Sequence, residues 1–141
     1  PTGTLSNDGR VFVVNTSDGS ENSVITTPAL GGHNTAISLD GQHLYMGDRD
    51  INKTGHDSLY VVNTATGLVE KPIGRLAGGV RPLTVNGSGT FAFLNINGLL
   101  GFQVVNLATG TVAYTVDLTT MGFLKTNCGT CETVSHGISL S

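Results

Sequence analysis

Val11-Phe12-Val13-Val14-Asn15-Thr16-Ser17-Asp18-Gly19 decides how this chain is read, because Leu59-Tyr60-Val61-Val62-Asn63-Thr64-Ala65-Thr66-Gly67 repeats its pattern 48 residues later. The correspondence runs without a gap from residues 11–38 to residues 59–86, placing Ile25 on Ile73, Ala29 on Ala77 and Gly31 on Gly79. A third copy follows after a further 43 residues, where Val104-Val105-Asn106 and Gly110 restate the valine pair, the asparagine and the glycine, and Val116 takes the place of Ile73. Each copy opens on a continuous run of β-branched and aromatic residues, which suits a strand buried on both faces. Each run then meets Asn-x-x-x-Gly. Asparagine bonds its own backbone and glycine accepts positive φ, so this spacing makes a short hairpin turn.

A unit of roughly 40 to 50 residues built from short β-runs has the length of one four-stranded propeller blade. The outer strand after the turn is clearest at Thr111-Val112-Ala113-Tyr114-Thr115-Val116, where apolar and polar positions nearly alternate. Pro72 in the second copy fits an edge strand or its end. The chain then crosses to the next blade through residues 28–35 or 76–83, and Ala36-Ile37-Ser38 and Thr84-Val85-Asn86 follow as innermost strands. No helical period is present. The expected fold is therefore all-β, with blades of four antiparallel strands. A partial blade spans 1–35, a blade 36–83, and a blade with a long crossover insertion 84–135, and 136–141 is the first strand of another. These 141 residues supply about three blades, whereas propellers have about four to eight. The first copy also lacks its opening half, so the chain reads as part of a larger ring, such as one of seven blades.

Charged residues make up 12% of the chain and its net charge is −3, so there is no basic stripe to track a phosphate backbone, and nucleic acid is not an expected partner. No apolar run reaches the length of a membrane span. Few lysines, abundant Thr, Asn and Gly, and Asn-x-Ser/Thr triplets at Asn15, Asn52 and Asn86 fit an extracellular or periplasmic protein.

Gly32-His33-Asn34-Thr35-Ala36-Ile37-Ser38-Leu39-Asp40-Gly41-Gln42-His43-Leu44-Tyr45 resembles the inner-strand and Asp-Gly turn of YVTN-type propellers, and residues 61–67 resemble the third strand and turn of that superfamily. It also includes lactonase-like propellers, the haem-binding propeller of nitrite reductase and the copper propeller of nitrous oxide reductase. The resemblance implies the fold and leaves the chemistry open. The usual proline before Asp-Gly is Leu39 here, and the second turn reads Ser88-Gly89.

Variation in loop length points to one face. Gly41 and Val61 are 20 residues apart but Gly89 and Val104 only 15, while 12 residues separate Ile25 from Ile37 and 22 separate Val116 from Ile138. These differences fall in the second-to-third loops and the crossovers, the end where binding groups are expected. His33, Arg81 and His136 precede the innermost strands and would aim at the mouth of the central channel. Converging imidazoles can hold copper or a haem iron. Arg81 between them suits an anion equally, and bonds from each histidine to a crossover carbonyl would make them structural. Asp48, Asp50, Asn52 and Asp57 space oxygen donors like the start of a calcium loop, but Lys53 stands where an EF-hand bends at glycine and Leu59 where it has its bidentate glutamate. Otherwise the segment is a solvated polar loop. Cys128 and Cys131 suit a disulfide pinning the long crossover. Glu132 replaces the histidine that covalent haem attachment requires, and a zinc site there lacks a fourth ligand.

The expected function is a binding or scaffold propeller presenting its variable loops to a small-molecule or protein ligand, completed by further blades of its own chain or by neighbouring copies. The alternatives are a copper- or haem-dependent oxidoreductase and a lactonase-like hydrolase.

Overall fold

A computed structural model describes residues 9–29, 31–49, 58–124 and 137–140. Among the described residues, ten strands form three antiparallel units. The strands β1 (Arg10–Val14) and β2 (Glu21–Thr26) make a hairpin. β3 (Gly32–Ile37), β4 (His43–Asp48), β5 (Leu59–Asn63) and β6 (Val69–Ile73) form a four-stranded sheet in chain order, and β7 (Val80–Val85), β8 (Phe91–Ile96), β9 (Gly101–Asn106) and β10 (Thr111–Asp117) form another. A 3-10 turn (Leu118–Met121) follows β10. These meanders are the sheets that the repeat predicts. Residues 137–140 carry no strand pairing.

Each repeated turn is built as its sequence requires. Gly19, Gly67 and Gly110 take φ of 72°, 68° and 70°, and each donates its N–H to the carbonyl of the asparagine four residues earlier at 2.8 Å. The Asn63 side chain accepts from the Ala65 and Thr66 amides at 3.0 and 3.1 Å, and Asn106 repeats the arrangement with Ala108 and Thr109 at 2.9 and 3.1 Å.

Side-chain alternation then stacks the sheets. In β5, Leu59 and Val61 enter the core shared with the third unit, beside Val80, Leu94 and Val105. Val62 and Tyr60 point the other way, to Ile25, Leu44, Ala29 and Met46. Both faces are buried because a sheet lies on each side, which accounts for the unbroken apolar run. Full burial of a Leu or Val contributes about 1.5–3 kcal/mol.

The inner strands begin at Gly32 and Val80, four residues before Ala36 and Thr84, where the sequence starts them. Backbone pairing carries them through polar sequence, since Gly32 pairs with Asp48 and Val80 with Ile96. Both pairings shift register at the same place, between Gly32 and Thr35 and between Val80 and Leu83. Such a bulge re-aims side chains, and it admits Pro82 on an inner edge strand. Strand β7 packs on β3 and β4 of the preceding sheet. Two side chains, Lys71 and Gln103, fasten this seam. Lys71 Nζ on β6 donates to the Leu107 carbonyl. Gln103 on β9 accepts from the Ala77 amide in the connection at 3.0 Å and donates to Thr115 Oγ1 on β10 at 2.9 Å.

Candidate functional site

His33 and Arg81 are equivalent in the 48-residue repeat, and both stand on the bulged segments of inner strands. Their surroundings differ. Arg81, 7% exposed, donates through Nε to Asn97 Oδ1 at 2.6 Å. It is buried because β7 lies against β3 and β4. His33 is exposed, with its Nδ1 against Asn34 Oδ1. The two equivalent side chains thus differ in exposure and in the partners they hold. His136, the third member of the expected group, lies outside the described residues, as do Cys128 and Cys131. Asp48 is fully buried, and its Oδ1 accepts from the Gly31 amide at 3.1 Å, tying the crossover to the end of β4. Asp50, Asn52 and Asp57 fall outside the described residues. Among those described, no three His, Cys, Asp or Glu side chains gather as a metal site.

The seam between the two complete sheets opens at its other end into a cleft of about 470 Å³. One wall comes from the β3–β4 turn, the start of β4 and strand β6, through Leu39, Asp40, His43 and Glu70. The other wall is the β7–β8 turn at residues 87–90, with Leu107 and Ala108. This is the end of short, uniform turns. Length variation marks the opposite end, so the cleft leaves no trace in a comparison of loop lengths.

Short-range chemistry fixes its polar groups. Asp40 Oδ1 accepts from Ser38 Oγ at 2.6 Å and from the Gln42 amide at 3.0 Å. The Ser38 hydroxyl, then the Gln42 N–H, hold the Asp40 carboxyl below its ordinary value of 3.8, with His43 contributing less. Glu70 Oε2 lies 3.3 Å from His43 Nε2, and its Oε1 accepts from Asn63 Nδ2 at 3.0 Å. Tyr45 is 4% exposed, and its ring contacts His43. Burial raises the Tyr45 hydroxyl above its ordinary value of 10.0, with Asp40 and Glu70 adding to the shift. The hydroxyl therefore stays protonated. Among the described residues it forms no hydrogen bond. Its oxygen lies 4.0 Å from the place a Cβ on Gly89 would take, and Gly87 would meet Leu39 at 3.9 Å, so the glycines of that turn keep the wall low.

Sequence reasoning missed these residues because they come from two repeats and meet only across the seam. The Asp40-Gly41 and Ser88-Gly89 turns were visible, but what faces them was not.

No family model matches the chain, and no curated protein matches it in sequence. Solved structures share its fold. Kuenenia stuttgartiensis hydrazine synthase superposes with a TM-score of 0.65 at 15% identity, covering 77% of this chain and 30% of that one. The RRP9 WD40 repeats superpose with a TM-score of 0.63 at 17% identity, covering 79% of this chain and 33% of that one. The chain thus spans about a third of the length of either structure, at 30% and 33%. At such identities the likeness concerns architecture alone, and with the repeated four-stranded sheets it makes the chain an all-β, propeller-like array.

Proposed function

We propose that this chain is a binding or scaffold module of a β-propeller, exported from the cytoplasm and akin to the YVTN-type superfamily. In this reading it presents its rims to a small-molecule or protein ligand, and further sheets from its own chain or from neighbouring copies complete it. One observation supports this most directly. Strands β1 and β2 repeat β5 and β6, yet β5 has β4 along its inner side whereas β1 has no inner neighbour among the described residues. The surfaces an inner pair would cover are open, with Phe12 and Val14 each 53% exposed and Ile37 64%. Unpaired edges and apolar faces of this kind favour strand addition.

Native mass measurement combined with amide exchange tests the reading. The expected particle is heavier than the 14.6 kDa of this chain, and the β1 amides facing away from β2 should be as protected as those of β5. Phe12→Lys should lower both mass and protection. A 14.6 kDa particle with freely exchanging β1 amides would overturn it. Stoichiometric copper or a haem absorption band in the purified protein would replace it with an oxidoreductase.

A further inference from the structure

We propose that the cleft between the two complete sheets binds a primary ammonium or guanidinium group on an aliphatic stem, supplied by a lysine or arginine side chain of a partner polypeptide. The inference deepens the binding reading above.

Three independent observations converge on this chemistry. Asp40 and Glu70 bring two carboxylates to the cleft, beside the Lys71 ammonium and the His43 imidazole. Lys71 is held at the Leu107 carbonyl. Both Glu70 oxygens are engaged, by His43 and Asn63. Ser38 and Gln42 both bond Asp40 Oδ1, so neither occupies Oδ2. The second observation is Tyr45, a hydroxyl on a residue only 4% exposed that lines the cleft and has no hydrogen-bond partner among the described residues. The ring is enclosed but the hydroxyl is at the cleft, where an N–H⁺ donor can reach its oxygen. The third is Leu39, 86% exposed on the rim beside Gly87. An aliphatic stem covers such a side chain while its charged end reaches inward. Anionic ligands would meet the open Asp40 Oδ2, and wholly apolar ones would desolvate it without supplying a donor.

The test follows the amide resonances of His43, Gly87, Ser88 and Gly89 during titration. The probes are Nα-acetyl-lysine methylamide, its arginine counterpart, the uncharged norleucine counterpart and the free diamine cadaverine. Saturable shifts with the cationic probes and none with norleucine are expected, weakening as salt is added. Asp40→Asn should weaken binding roughly tenfold or more, the usual effect of losing a charge-assisted bond. Tyr45→Phe should weaken it severalfold, and Val24→Thr on β2 should leave it unchanged. Tighter binding of the amino-acid amides than of cadaverine identifies a polypeptide ligand, and the reverse order identifies a free amine with the same chemistry. Equal shifts with norleucine, no shift with any cation, or full affinity in Asp40→Asn would overturn the proposal. Asp40 is exposed, so Asp40→Asn keeps the fold even if Tyr45→Phe disturbs it. Failure here leaves the mass and exchange results untouched, so the two readings fall separately.

Discussion

Gly47 shows how one residue sets the spacing of the sheets. A Cβ there would lie 2.6 Å from Val80 Cγ1 and 2.9 Å from Val80 Cβ, on the inner strand of the next sheet. Gly47→Ala should therefore destabilise the protein by about 1–3 kcal/mol, as overpacking does, measured by urea unfolding. The repeat-equivalent residue is Asn95, 2% exposed, whose Nδ2 has no hydrogen-bond partner. Asp40 acts through charge instead. Its folded value lies below 3.8, so the turn it braces is fully stabilised above that pH and loses this support as pH falls through the lower folded value. The thermal midpoint of the parent should accordingly drop more steeply on acidification than that of Asp40→Asn.

At the scale of elements, the turns were legible and the strand limits were less so. Asparagine and glycine four residues apart dictate the β1–β2, β5–β6 and β9–β10 connections through local bonds alone, and the structure has them at 2.8 Å in all three. Gly67→Ala places a Cβ at φ 68° and should cost about 1 kcal/mol or more in chemical denaturation, whereas an exposed substitution such as Thr66→Ala should be near neutral. The inner strands were legible only from Ala36 and Thr84 onward. Their first residues, Gly32-His33-Asn34-Thr35 and Val80-Arg81-Pro82-Leu83, carry a polar run and a proline, and long-range pairing with β4 and β8 makes them strands. That extension puts His33 and Arg81 on bulged strand rather than in a crossover.

At the scale of the molecule, the period showed the kind of sheet, because every unit must bury the same faces against its neighbours. It could not show the cleft. Asp40, Tyr45 and Glu70 belong to one repeat and residues 87–90 to the next, so the site exists only once the angle between sheets is set. Leu59→Ala, which removes a fully buried side chain from the core between the sheets, should cost about 2–5 kcal/mol. The loss should appear in one cooperative unfolding transition, since both sheets share that core.

The two fastenings of the seam bear on the angle between the sheets. Lys71 pins the short-turn end to Leu107, and Gln103 pins the connection at the far end to β9 and β10. A junction held at both ends cannot swing like a gate, so its wedge angle is fixed locally. The curvature between these two sheets is thereby written into their own joint rather than left to whatever lies beyond them.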